Sequence, residues 1–179
     1  MVEDDGVSSG SVKALVITGG AAPPQSAIQA RLGSSDLIIA ADSGLMTARR
    51  YGARVDLVVG DFDSIGDERA LEELEDGQIR RHPAAKDETD TELALDAARN
   101  AGADEITLVG GGGGRLDHLL ALAALFERAR YPVRWITDTS VVEAVEHEFV
   151  ARGSAGDRIS FFPLGCEACR MSSEGLRWP

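Results

Sequence analysis

Six strand-like runs of five to seven residues, five of them mainly apolar and the fourth weak and polar, are spaced along the first 140 positions and limit what this chain can fold into. They cover residues 12–18, 36–41, 55–59, 78–82, 105–109 and 133–137. Four are nearly unbroken Val, Ile, Leu and Ala, as expected of strands buried on both faces. Between them lie stretches that read as helices: a weak one at 26–32, a short one ending near Tyr51, a polar one at 67–75, and two strong ones at 89–101 and 115–130. Leu93, Ala94, Ala97 and Ala98 fall at helical spacing, and Gly102 stops that helix. Strands alternating with helices predict a parallel, doubly wound α/β sheet.

After Asp138 the pattern changes. Residues 141–150 and 157–163 read as strands joined by Gly/Ser turns, with no helix between them. The expected organisation is a loose tail at 1–10, an α/β domain at 11–139, and a small all-β unit at 140–179. A unit of that size is too small to hold its own core, so it is expected to be partial or to lean on a partner.

An open parallel sheet binds ligands at the carboxyl ends of its strands. Those ends are rich here. The first run ends in Gly19-Gly20, the second in Asp42-Ser43-Gly44, and the third in Gly60-Asp61-Phe62-Asp63-Ser64. The fourth is followed by Lys86-Asp87-Glu88-Thr89-Asp90, and the fifth by Gly110 to Gly114 and then Arg115-Leu116-Asp117-His118. Two carboxylates two residues apart repel each other unless a cation lies between them. Asp61 and Asp63 therefore read as a platform for a hard divalent ion such as Mg2+ and the phosphates it carries. The plainer alternative is an Asp-rich turn, with Asp63 or Ser64 capping the next helix.

The glycine run can expose N–H groups beside a helix start, as a phosphate cradle does, or can simply be a flexible turn. It fits neither the P-loop nor the dinucleotide fingerprint. Arg115 can fork onto phosphate oxygens and Lys86 can contact them. Asp87 and Asp90 can share a face toward the metal, yet Thr89 with Glu92 also spells a capping box. Asp117 and His118 read as metal ligand and proton carrier, or as a helix-start acid and a core-edge histidine. His82 and His147 read as plain surface or strand residues. Cys166 and Cys169 have zinc-like spacing with no second pair.

Charge narrows the partners. The 179 residues carry a formal net charge of −12, which disfavours nucleic acid or an anionic membrane as the main partner. The start, Met1-Val2-Glu3-Asp4-Asp5, is acidic where a signal peptide is basic. No apolar run approaches the roughly 20 residues that span a bilayer. Two cysteines make no disulfide framework. A cytoplasmic protein is expected.

Four motifs, in order, carry a resemblance: Ala41-Asp42-Ser43-Gly44, Gly60-Asp61-Phe62-Asp63-Ser64, Lys86-Asp87-x-Thr89-Asp90 and Gly114-Arg115-x-Asp117-His118. In order and spacing they resemble the thiamine pyrophosphokinases, and Gly175-Leu176-Arg177-Trp178-Pro179 is similar to a segment of that family's β domain. The resemblance implies an α/β nucleotide-binding domain followed by a β-sandwich, in a homodimer with active sites between subunits. It implies Mg2+-dependent transfer of a pyrophosphoryl group from ATP to thiamine, giving thiamine diphosphate and AMP.

By matching positions, Asp42, Asp61, Asp63, Asp87 and Asp90 form the acidic metal and substrate site. Arg115, Asp117 and His118 line the nucleotide side, with Ser43, Gly44, Lys86, Thr89, Gly113 and Gly114 beside the ligand. Asp90 and Asp117 are the two candidates for accepting the alcohol proton. The family pattern continues to a Ser-Asn motif that helps hold thiamine, beyond the position of Pro179. It often has Asn where this chain has Leu122. Two other classes fit the same residues: a metal-dependent nucleotide phosphohydrolase, and a silent nucleotide- or thiamine-binding module.

Overall fold

The computed structural model describes residues 11–63, 65, 69–128 and 132–177. The expected tail at 1–10, the cap at Ser64, the start of the polar helix at Asp67, the helix end at Arg130 and the terminal Trp178-Pro179 lie outside these residues.

Seven strands form one sheet. In chain order they are β1 (Val12–Ile17), β2 (Leu37–Ala41), β3 (Leu57–Gly60), β4 (Ile79–Arg81), β5 (Ala103–Val109), β6 (Arg134–Ile136) and β7 (Val141–Glu143). Their spatial order is β4-β3-β2-β1-β5-β6-β7. Every pairing is parallel except β6 with β7. All six runs become the six parallel strands: the apolar ones because a run apolar on both faces is stable only between two covering layers, and the polar fourth run as the half-exposed edge strand β4.

Among the described residues five helices supply those layers: α1 (Gln25–Ser34), α2 (Gly44–Arg50), α3 (Arg69–Glu72), α4 (Asp90–Asn100) and α5 (Leu116–Ala124). Ile28 of α1, Leu45 and Ala48 of α2, and Ala70 and Leu71 of α3 pack with Leu15, Ile17, Ala40 and Val58. On the opposite face, Ala94, Leu95, Ala97 and Ala98 of α4 and Leu122 of α5 pack with Val16, Ile39, Val59 and Leu108. The chain steps from β1 outward to β4, then α4 carries it back to β5 on the other side of β1. The direction of winding reverses between β1 and β5, the place where such sheets open for ligands.

The start of α4 follows the capping-box reading. Thr89 Oγ1 accepts from the Glu92 N–H at 3.2 Å, and the Thr89 N–H donates to Glu92 Oε2 at 2.8 Å. Burial pushes the Glu92 carboxyl up, but the Thr89 donors and Arg128 at 2.8 Å outweigh it and hold the group below its usual value. Thr89→Ala is expected to cost about 1 kcal/mol, lowering Tm by roughly 3 °C for a chain of this size. A depressed carboxyl contributes stability above its unfolded value of 4.5, and that contribution fades as pH falls through the folded value. The Tm penalty of Glu92→Gln should therefore be present at neutral pH and fade as pH falls below 4.5 through the lowered folded value. Thermal melts across that range check both.

Three expectations need correction. The helix read over 115–130 ends at Ala124 and tightens into a single 3-10 turn at Leu125–Glu127. The strand read over 141–150 is only three residues long, and it joins the α/β sheet as its antiparallel edge. The strand read over 157–163 is not formed, and no described residue from 144 to 177 lies in a strand. A strand forms where a neighbour takes its backbone groups and a second layer covers its face. Here Val145, Phe149, Val150, Ile159, Phe161 and Phe162 are left exposed.

Candidate active site: an acidic edge beside two joined loops

The carboxyl ends of β2 and β3 approach each other closely. A Cβ on Gly60 would lie 3.2 Å from the Asp42 Cα, so glycine is needed to seat one strand end against the other. The Asp42 N–H donates to the Val59 carbonyl at 2.8 Å, and the Asp42 carbonyl accepts the Leu45 N–H in the first turn of α2. Gly44 admits that helix: a Cβ there would stand 2.1 Å from the Ile17 carbonyl oxygen. The expected roles of Ser43 and Gly44 thus have a structural part, since both lie where α2 abuts the end of β1.

Asp42 (φ +47°) and Phe62 (φ +67°) adopt the left-handed region, the only non-glycine residues to do so among those described. Such conformations cost about 1–3 kcal/mol and gather at functional sites. The turn at Phe62 tucks its ring into the core beneath the Arg81 guanidinium, 4.8 Å away. Asp61 and Asp63 remain at the rim. Each of Asp42, Asp61 and Asp63 offers a carboxylate oxygen within 4.8 Å of the others, the one such metal-capable set among the described residues.

The electrostatics follow from that crowding. The Asp63 N–H donated to Asp61 Oδ1 at 3.2 Å holds Asp61 below the usual carboxylate range, against the opposing pull of burial and with help from Lys86. The Asp61 charge pushes Asp63 upward. Lys86 Nζ reaches Asp90 Oδ1 at 2.8 Å and Asp61 Oδ2 at 3.6 Å. Burial works against the Lys86 charge, but its bonds to Asp90 and Asp61 more than offset it and raise the group. Of the five acids expected at the metal and substrate site, Asp42, Asp61 and Asp63 come together, Asp90 faces Lys86, and Asp87 is exposed and outside that set.

The loops after β1 and β5 are laced together. The Gly111 N–H donates to the Gly19 carbonyl at 2.7 Å, and Ala21 and Gly112 exchange both backbone bonds at 2.7 and 3.0 Å. The Gly110 N–H goes to Ile136 at 3.0 Å, and the Trp135 indole N–H closes on the Gly110 carbonyl at 2.7 Å. Three of the five N–H groups read as a phosphate cradle are therefore spent inside the protein. Gly113 and Gly114, both left-handed and exposed, form the outward tip.

Arg115 follows that tip and forks onto Asp117, Nη2 to Oδ2 at 2.6 Å and Nε to Oδ1 at 3.2 Å. The fork pulls Asp117 down to about 2. His118 is exposed in the first turn of α5. Leu122, where the family pattern often has Asn, is buried beneath Gly111, so its side chain serves the core.

Two features escaped the sequence reading. Asp138, at the end of β6, lies against Gly112, where a Cβ would meet its Oδ1 at 2.3 Å. The strand-end rule that singled out Asp42 and Asp61 would have found it too. The buried Thr18 and Thr91 hydroxyls meet at 2.7 Å and tie the end of β1 to the first turn of α4; no local pattern announces that pairing. The hollows beside α1, of about 280 and 390 Å³, do not include these carboxylates.

The family model of the thiamin pyrophosphokinase catalytic domain matches residues 28–134. A thiamine pyrophosphokinase of Bacillus subtilis (strain 168) is 30% identical over 173 residues, covering 92% of this chain and 79% of the relative. Among solved structures, a thiamin pyrophosphokinase family protein from Enterococcus faecalis superposes with a TM-score of 0.60 at 30% identity, covering 74% of this chain and 64% of that one. The thiamin pyrophosphokinase of Geobacillus thermodenitrificans gives 0.57 at 30% identity, over 70% and 60%. The chain therefore spans just under two thirds of the solved chains it matches. The matched region takes in Asp42, Asp61, Asp63, Lys86 and Asp90, and this chain belongs to the thiamin pyrophosphokinase family.

Proposed function

We propose that the protein transfers a pyrophosphoryl group from ATP to the hydroxyl of thiamine, releasing AMP and thiamine diphosphate in the cytoplasm. The observation that carries this reading is the meeting of Asp42, Asp61 and Asp63 within 4.8 Å at the strand ends of a chain in this family. Three like charges so close are costly without a cation, and their hard oxygens suit Mg2+ better than a softer ion. Asp42, Asp61 and Asp63 would hold it. When bound, the ion neutralises phosphate charge as the β-phosphorus is attacked.

The chain's own residues do the positioning, which is most of what phosphoryl chemistry asks of a protein. The tip at Gly113 and Gly114 lets the nucleotide approach the backbone, and Arg115 stands beside it. Arg115 forks onto Asp117, which aims the guanidinium. Asp90, beside Asp61 at the acidic edge, is the carboxylate proposed to take the alcohol proton. Asp87, Thr89 and His118 would contact substrate from the rim. No helix among the described residues is long and apolar enough to cross a membrane.

Residues 140–179, apart from the three that join the α/β sheet as β7, are proposed to belong to a thiamine-binding β-sandwich that is ordered by a second copy of the chain in a homodimer. The exposed Phe149, Phe161 and Phe162 support this, because an apolar stretch left bare is expected to find cover. Sedimentation showing only monomer at micromolar concentration would count against it.

The deciding assay incubates the protein with ATP, Mg2+ and thiamine and separates the products. Equal amounts of AMP and thiamine diphosphate, formed only with thiamine present, are expected. Phosphate or pyrophosphate released without thiamine would favour a phosphohydrolase. Ligand binding with no turnover would favour a silent binding module.

A further inference from the structure

Lys86 is placed differently from a side chain waiting for phosphate. Its ammonium has three hydrogens and three acceptors around it: Asp90 Oδ1 at 2.8 Å, the Pro83 carbonyl at 3.2 Å and Asp61 Oδ2 at 3.6 Å. Its side chain is only 12% exposed, and those of Asp61 and Asp90 only 16% and 22%. Lysine normally keeps its head in water. Here the head is drawn among carboxylates, in the position a metal ion would take between Asp61 and Asp90.

The local structure holds it there. The Thr89–Glu92 capping box fixes the first turn of α4, and Asp90 is the first residue of that helix. Asp61 is fixed from the other side by the Asp63 N–H on its second oxygen.

We infer that Lys86 is a built-in cation which shares Asp61 with the metal site and so competes with any divalent ion arriving alone. This rests on reading Asp42, Asp61 and Asp63 as that metal site. An ion held by Asp61 would have a fixed positive charge one carboxylate away, a repulsion that weakens binding on the order of tenfold or more. A metal–nucleotide complex meets a different balance, because its phosphates bring the negative charge that a free ion lacks. They give the ammonium an acceptor of its own and relieve the repulsion. Lys86 thereby makes the site selective for the metal–nucleoside triphosphate complex over the free metal. It also leaves the Asp61–Asp90 half closed to a second ion until nucleotide arrives.

The test uses Mn2+ alone, titrated into the protein without nucleotide and followed by the loss of the free-ion resonance. Lys86→Gln keeps the length and a donor but removes the charge. It should bind Mn2+ at least about tenfold more tightly than the unaltered protein, or take up a second ion. Lys86→Arg keeps the charge and should bind Mn2+ as the unaltered protein does. If Lys86→Gln unfolds, Lys86→Met gives the same comparison, with thermal melts confirming the fold. Equal or weaker Mn2+ binding by the neutral variants would overturn the inference while leaving the metal site standing. Absence of Mn2+ binding by every form would overturn both.

Discussion

Asp63→Asn should cut the rate of thiamine diphosphate formation by at least about 10³-fold, yet leave the metal-free protein as stable as before or more so. The two halves of this expectation come from one geometry. Asp63 stands at the rim with the Asp61 and Asp42 carboxylates close by, and the Asp61 charge already pushes it upward. Among the described residues no cation is paired with it; Lys86 faces Asp61 and Asp90 instead. Replacing its carboxylate by an amide of the same shape relieves repulsion in the folded state and breaks no described bond to a positive group. The same change removes one of the charges that make the edge able to hold a divalent ion, and with it the neutralisation that the transferring phosphates need. Activity and stability then move in opposite directions, as they do where a site is built at the cost of the fold. Asp61→Asn should be equally damaging to turnover but not stabilising, because it also discharges the partner of Lys86. Initial rates and thermal melts on the two variants check this. Full turnover in either under saturating Mg2+ would remove it from the metal set.

Much of this arrangement is legible in the sequence. A strand buried on both faces must be apolar throughout, so the apolar runs could be read without a partner in sight, and the polar run at 78–82 was legible only as a weak strand, which became the edge. Parallel winding then puts every strand end on one edge, which brought Asp42, Asp61 and Asp63 together on paper. What a local pattern does not hold is the direction of each group once neighbours are packed. Lys86 and Asp90 are four apart, and either could have faced phosphate or metal; which of them faces the other depends on the turn before α4. Five glycines in a row announce conformational freedom but not where their N–H groups go. That is decided by Gly19 and Ala21, some ninety residues upstream, and by Ile136 downstream. The stretch after Glu143 shows the same boundary from the other side. Its alternation of apolar residues is strand-like, and strands need a layer to lie on.

The glycine run gives the sharpest test of that point, because its members are alike in sequence and unlike in surroundings. Gly110 (φ +98°) and Gly114 (φ +68°) both lie in the region that side chains avoid. A Cβ on Gly114 would meet nothing within 4 Å, whereas one on Gly110 would stand 2.5 Å from the Thr18 carbonyl oxygen. Gly114→Ala is therefore expected to cost only the left-handed strain, about 1 kcal/mol. Gly110→Ala adds a collision with backbone that cannot swing away. The Thr18 N–H is tied to Val109 at 2.9 Å, and Gly110 itself is pinned by Ile136 and by the Trp135 indole. Relief requires parting β1 from β5 where the loops are laced, at a cost of about 3 kcal/mol or more, or a fall in Tm of roughly 6–12 °C. The parting would also shift Gly113, Gly114 and Arg115 from the nucleotide side, so turnover should fall in Gly110→Ala even at temperatures where it remains folded. If both variants melted together, the run would be a plain flexible turn. A gap of several degrees would show that the joined loops, and not the count of glycines, are what this segment provides.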